Sequence, residues 1–448
     1  MVRMIRSLST YVMGASSGLA MAHTAAYAAP PPKMPFPQHV VYAAGTIKPD
    51  NFRQPVMDGD VRRFYAWWKD HYLIDAGRRA GRRMYRIGLG KRKSGATVSE
   101  GQGYGMIIVA LMAGHDPQAK RIFDGLLAYT LAHPSEISPA LMAWKSPSRT
   151  GDGDSAFDGD ADIAYALMLA DAQWGSNGQI NYRRHAKRRL TALKKSSMGH
   201  QLGLPLLGDW VRSNDNDIDE TMARTSDFMP AHFASFARFT SSKSWRVATQ
   251  RTRATMSAMQ AALTPRTGLV PDFVTHLDQL PKAASAHFLE TINDGDYFMN
   301  AARVPWRIGT DALINGSRAS IAQVSRISAW IERNTGGNPR AIRAGYSLNG
   351  KPLPNTDYFS ALFAAPFGVA AMANPAQQGW LNAVYAAVRQ HHEGYYEDSV
   401  TLLSLLVMTG NYWDPTRVRK AGTSGGAVCQ AGRSVSACPT GPKGRVTR

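Results

Sequence analysis

SAFDGDADIAYALMLADAQW, residues 155 to 174, sets three carboxylates at alternate positions, Asp158, Asp160 and Asp162, directly ahead of an apolar run. Ala156 and Gly159 let the backbone turn tightly there. Ile163, Leu167, Ala170 and Trp174 then recur at three- or four-residue spacing, which predicts a helix with a buried face. The acids therefore stand at the mouth of a core helix. An isolated acidic turn of this kind also suits an N-cap, in which Asp158 accepts backbone N–H groups and the other charges favour the helix dipole. The rest of the chain decides between a cap and a site.

Outward from this stretch the same alternation repeats. An apolar, small-residue helix follows a polar turn, and a more basic amphipathic helix comes after it. The apolar members begin near Glu100, Asp158, Asp227, Tyr297, Tyr358 and Glu397; the amphipathic ones begin near Asp60, Pro117, Asn181, Ser242, Arg318 and Ala376. Strand signals are limited to short stretches such as Leu269 to Val274, and the basic segment from Arg78 to Lys93, with Gly81, Gly88 and Gly90, reads as a loop or hairpin. An all-α fold of two concentric helical rings buries the apolar members against one another. It also brings the polar turns before the inner helices to one end of a barrel.

The 448 residues are 44% apolar and only 19% charged, so they can build one large core. Two arginines within residues 1 to 6, an apolar or small stretch from Leu8 to Ala22, and Ala26, Tyr27 and Ala28 read as a secretory signal over residues 1–28. Export to the periplasm or medium is the expectation. A Pro-rich leader at 29–50 is expected to lie outside the core, followed by one domain at 51–415. A basic Gly- and Ser-rich tail at 416–448 carries Cys429 and Cys438, expected to form a local disulfide. The net charge of +19 comes without a nucleic-acid motif, so it reads as a solvated basic surface, one that could attract anionic envelope polymers or lipids. The twelve histidines are scattered and no Cys cluster exists, so neither metal nor cofactor is expected. A monomer is the expected unit.

If the polar turns share one end, Glu100, Asp158, Asp227, Glu290, Asp294 and Asp296 converge there, with Tyr104, Trp144, Trp210, Tyr297, Tyr395 and Tyr396 in or beside the same loops. Flat rings stack on pyranose faces while acids and amides bond the hydroxyls, so the set describes a groove for sugars.

Several long blocks carry a family resemblance. SEGQGYGM at 99 to 106 and AFDGDADIAYALMLADAQW at 156 to 174 resemble the signature blocks of glycoside hydrolase family 8. So do HFLETINDGDYFMNAARVPWRIGTDAL from His287, TGGNPRAIRAGY from Thr335, FAAPFGVAAM from Phe363 and YYEDSVTLLSLLVMTGNYW from Tyr395. The resemblance covers roughly Asn51 to Trp413 and implies a six-hairpin (α/α)6 barrel and an inverting endo-hydrolase of β-linked glucans. It implies Glu100 as general acid and Asp158 as the residue that holds the distorted sugar and helps order the water. Cellulase-type members place an aspartate base where this chain has Asn300. A lichenase- and chitosanase-like subgroup also has asparagine there and uses a loop glutamate, which Glu290 matches, ahead of Asp294 or Asp296. Arg303, one turn beyond Asn300, is expected to orient a sugar or a carboxylate through its planar fork. Mixed-linkage glucan, cellulose-like glucan and chitosan remain open as substrates, and a strongly cationic protein repels polycationic chitosan. A glycan-binding protein without catalysis is the reading from a different class, and a polysaccharide lyase is a third.

Overall fold

The computed structural model describes residues 30–90, 95–147, 153–212 and 217–417. Among these, helices alternate in the expected order. They are α1 (Gln54–Tyr72) and α2 (Ser99–Leu111), α3 (Ala119–Ala132) and α4 (Phe157–Trp174), and α5 (Tyr182–Ser196) and α6 (Pro230–Thr240). The second half adds α7 (Lys243–Leu263) and α8 (Val304–Asn315), α9 (Arg318–Asn334) and α10 (Ala361–Ala371), and α11 (Gln378–Val388) and α12 (Tyr395–Met408). The even-numbered helices touch in a closed ring, α2 to α4, α4 to α6, and so on until α12 returns to α2. Each is backed by an odd-numbered helix on the outside, which makes an (α/α)6 barrel.

Composition assigns the rings. Every residue of α10 is buried, and in α2 every residue but Glu100. A helix that is apolar all round has nowhere to go but the interior. The outer helices bury a single stripe instead, as α5 does with Tyr182, Ala186, Arg189, Leu190 and Leu193. The first two inner helices are drawn together by glycine. A Cβ on Gly103 would lie 2.7 Å from Asp162 Cβ, and one on Gly159 would lie 2.5 Å from the Ser99 carbonyl carbon.

Short strands trim the open end. β1 (Leu73–Arg79) and β2 (Arg82–Ile87) form the hairpin expected in the basic segment, with Leu73 opposite Ile87. Its two-residue loop needs left-handed backbone at both positions, and Ala80 (φ 48°) and Gly81 (φ 76°) supply it. β3 (Thr97–Val98) pairs with β4 (Lys145–Ser146), and β5 (Ala223–Arg224), β6 (Phe273–Thr275) and β7 (Lys282–Ala283) form an antiparallel sheet. Among the described residues no helix is long and apolar enough to cross a membrane.

The leader departs from expectation. Residues 30 to 50 are a strap across the closed end of the barrel, not a free spacer, and Phe36 enters the core with 6% exposure. Its backbone N–H groups bond carbonyls at the C-terminal ends of five inner helices: Lys33 to Gln173, Phe36 to Ala113, Val40 to Gly410, Ala43 to Leu313 and Ile47 to Met372. The last carbonyls of a helix have no partner of their own, and an extended chain can visit one after another. Prolines that read as a linker instead preset the extended backbone that this needs. The proposed signal at 1–28 and the Cys429–Cys438 pair lie outside the described residues. Phe36→Ala is expected to lower stability by about 3 kcal/mol, visible as a lower thermal midpoint. The arrangement of the acids in the folded protein should be unchanged, since the strap lies at the opposite end.

Candidate active site

The three acids of the opening stretch go to three destinations because α4 turns 100° per residue. Asp158 and Asp162, four apart, share one face, and Asp160 points the other way. Asp160 pairs with buried Arg189 of α5 and accepts the Met142 N–H at 3.1 Å. Asp162 receives both ends of the Arg307 fork, at 2.8 and 2.6 Å, and His232 Nε2 at 3.0 Å. Burial opposes its ionisation, but Arg307 and His232 outweigh that and draw it down to about 2. The N-cap of α4 is Ala156, without a side-chain bond, so Asp158 is not the cap. Its Oδ2 accepts from Arg303 Nη1 at 2.7 Å.

Arg303 is the junction of the site. The same Nη1 reaches Glu100 Oε2 at 2.8 Å and the Tyr104 hydroxyl at 3.2 Å, while Nη2 donates to Asn300 Oδ1 at 2.7 Å. Asn300 Nδ2 in turn donates to Glu290 Oε2 at 2.8 Å, and Arg224 Nη2 reaches Glu290 Oε1 at 2.7 Å. One guanidinium and one carboxamide therefore join Glu100 to Glu290 in series. The side chain of Glu290 is 39% exposed and that of Glu100 19%, against 5% for Asp158. Burial pushes Glu100 up to about 7; Arg303 pulls against this, Asp158 adds repulsion, and the 2.9 Å bond from the Tyr395 hydroxyl favours the anion. Asp158 is held below the usual carboxylate range, because Arg303 and Arg224 outweigh its burial. Two neighbouring carboxylates are thus pushed in opposite directions, Glu100 toward the neutral acid and Asp158 toward the anion.

Two further buried acids hold the frame around Glu290. Asp294 accepts the N–H groups of Leu289, Glu290 and Thr291 at 2.7, 2.8 and 2.8 Å, so it pins the loop that carries Glu290. A carboxylate occupied in this way, with no exposure, is a staple for the loop and not a base. Asp272 does the same for the turn before α8, accepting from the N–H groups of Phe298, Asn300 and Ala301. Burial pushes it up to about 7 against those donors.

Several residues expected to touch sugar are corrected by their burial. Tyr297 is fully buried in the barrel wall, stacked on Phe367 with centroids 6.0 Å apart. It follows the acidic turn just as the true rim rings do, but its backbone bridges Tyr346 and turns the ring inward. Tyr104, Asp227 and Arg303 are also enclosed and offer no surface to a sugar, whereas Asn300 and Tyr395 keep slightly more exposure than Asp158 and border the same acids. Asp227 lies 3.7 Å from Arg224, and burial raises it well above the usual range. Partly exposed rings remain for a substrate. Trp144 adjoins Glu100 through the bond from the Ser99 N–H to its carbonyl; Trp210 packs on Phe273 and its neighbours; Tyr396 donates to the Met299 carbonyl. Asp296 is half-buried beside the Asp272 backbone. Sequence reasoning missed Arg224 and Asp272. The first stands three residues before Asp227, a spacing that marks an ion pair, whereas nothing local distinguishes the second. Among the described residues no group of His, Cys, Asp or Glu is arranged to hold a metal ion.

An (α/α)6 barrel whose open end couples a carboxyl pushed toward its neutral form to a second, exposed one through fixed donors has the machinery of a glycoside hydrolase. The glycosyl hydrolases family 8 model matches residues 60–410, and the chain belongs to that family. It is 41% identical to a beta-glucanase of Niallia circulans, over 87% of this chain and 93% of that protein. It is 38% identical to an endoglucanase of Bacillus sp. (strain KSM-330), over 85% and 82%. The solved beta-1,3-1,4-glucanase of Paenibacillus sp. X4 superposes with a TM-score of 0.80 at 41% identity, covering 86% of this chain and all of that one.

Tyr395→Phe removes a donor to the ionised form of Glu100, so the carboxyl should lose its proton only at higher pH. A general acid works while protonated, so with Glu100 in that role activity is expected below about 7 and should be lost above it. The alkaline limb of the kcat profile should therefore move upward in this variant. Asp294→Ala releases the Glu290 loop and should lower kcat on the order of 10²-fold, the cost of a misplaced reacting group, with little change in the melting profile of the helices.

Proposed function

We propose that the protein is a secreted, monomeric, inverting endo-β-glucanase that hydrolyses β-1,4 or mixed-linkage β-1,3-1,4-glucan. The observation that carries this reading is the Arg303–Asn300 bridge between Glu100 and Glu290. Inversion needs acid and base roughly 6.5–9.5 Å apart, with room for a water. Two planar groups in series stand between these carboxyls. Glu100, protonated near neutrality, donates its proton to the glycosidic oxygen as the bond from C1 breaks and the electron pair leaves with that oxygen. Glu290 takes a proton from water as the water oxygen bonds C1 from the opposite face. Asp158, ionised beside Arg303, stabilises positive charge as it develops on the ring. Release of the product returns one proton from Glu290 to solvent and one from solvent to Glu100.

The relatives named beta-glucanase and endoglucanase support a glucan, and the solved mixed-linkage glucanase favours the mixed linkage. Arg224 beside Glu290 disfavours the cationic sugars of chitosan. Secretion rests on the signal-like segment at 1–28.

Glu100→Gln and Glu290→Gln should each lower reducing-end release from barley β-glucan by roughly 10²–10⁴-fold while leaving the fold intact. NMR of early products should show the α-anomer. Full activity in Glu290→Gln would remove it as the base; a wild type inactive on barley β-glucan, carboxymethylcellulose and chitosan would make the protein a glycan binder. Unsaturated products absorbing in the ultraviolet would mark a lyase.

A further inference from the structure

The outer flank formed by α5 and the β1–β2 hairpin has no part in the site described above. Residues Tyr182–Ser196 hold seven Arg or Lys side chains and no acid. Two are neutralised, Arg183 by Asp171 at 2.7 Å and Arg189 by buried Asp160. Arg184, Lys187, Arg188, Lys194 and Lys195 stay exposed, with no ion-pair partner among the described residues. The hairpin extends the row. Arg78 and Arg79 spend their bonds on the carbonyls of Gly81 and Ala132, so their charges are uncompensated, and Arg82 is exposed. The two segments flank the same helix: Arg79 of the hairpin donates to the Ala132 carbonyl at the end of α3, and Tyr182 of α5 donates to Asp124 of α3. Burial, and then the charges of Arg184, Arg188 and Arg82, hold the His185 imidazole below its ordinary range.

We propose that this flank docks an acidic polysaccharide, a linear chain with repeated carboxylates. A 15-residue helix is ~22 Å long, enough to engage several sugar units in a row. Like charges crowded without counter-ions are tolerated on a surface because water solvates them, and a polyanion releases that repulsion on binding. Two other polyanions fit less well. Exposed leucines border the flank only singly, Leu131 beside Arg188 and Leu89 past the hairpin, and form no apolar face that could enter a bilayer; the aromatic rings of the two segments, Tyr182 and Tyr85, are buried and cannot stack on bases. None of these cations touches Glu100, Glu290 or their partners, so docking leaves the catalytic end open. A neutral glucan does not compete for the flank, so the contact would hold the enzyme in an acidic matrix while it works on its substrate.

The test is retention on immobilised alginate, a linear polyuronate, at about 20 mM salt, where charge attraction is weakly screened. Wild type should bind and elute as salt rises. R184E/R188E/K194E/K195E should lose more than about tenfold in affinity, and R78E/R82E a smaller factor. Both variants should keep turnover on barley β-glucan within about twofold of wild type, which also reports that they fold. If the reversal variant loses turnover, R184Q/R188Q/K195Q takes its place, with about threefold weaker binding expected. Unchanged alginate affinity in the variants, or no binding by wild type, overturns the proposal. Tighter binding to phosphatidylglycerol vesicles or duplex DNA than to alginate also overturns it, and identifies the flank as a lipid or nucleic-acid surface.

Discussion

A guanidinium sealed inside a protein must be matched by anions, and the catalytic end of this barrel is arranged around that demand at Arg303. Its side chain is 1% exposed; ionised Asp158 supplies the counter-charge, and Glu100 accepts from the same nitrogen. Removing one member of such a buried group leaves an uncompensated charge and costs about 3–5 kcal/mol. The turn that carries Arg303 is therefore locked opposite the first turns of α2 and α4. One turn further in, Arg307 repeats the arrangement with Asp162, so two rungs of opposite charge set the register of α8 against α4. Glu290 enters this network at one remove, through Asn300. Glu100 and Glu290 are then positioned by the same buried network that ties the turn before α8 to α2 and α4.

The two ends of the barrel solve opposite halves of one problem. Inner-helix N-termini carry unpaired N–H groups and partial positive charge, which favour the carboxylates gathered there. The C-termini present unpaired carbonyls, and the strap from residue 30 to 50 supplies N–H groups to five of them. The strap closes one end through these backbone bonds, with Gln173 and Asn411 side chains accepting from Met34 and Gln38, and leaves the other end free for a substrate. The glycines between α2 and α4 serve the same purpose locally, since any larger residue at Gly159 would push Ser99, and with it Glu100, away from Asp158.

The alternation of all-apolar and amphipathic segments was readable along the chain because each helix carries its own burial pattern, and it placed all six pairs. Glu100 and Asp158 were readable as well, since both stand in small-residue turns that open apolar helices. Side chains whose role depends on a partner far along the chain were not. Tyr104 and Tyr395 look alike as rings near acids, yet one accepts from Arg303 and the other donates to Glu100. Tyr297 has the same local context and is packing. Asp272 is embedded in an ordinary stretch and acquires its task only because the turn at 298 to 301 folds back onto it.

Taken alone, the chain's periodicity and its turn residues determined an all-helical, six-paired barrel with acids at the mouths of the inner helices, because helix burial and helix starts are local properties. Tertiary structure decided which acid is pushed toward its neutral form, which ring faces solvent, and that a proline-rich leader is a strap. Those outcomes depend on desolvation and on donors brought in from residues far away in sequence, and neither is encoded within a single turn of helix.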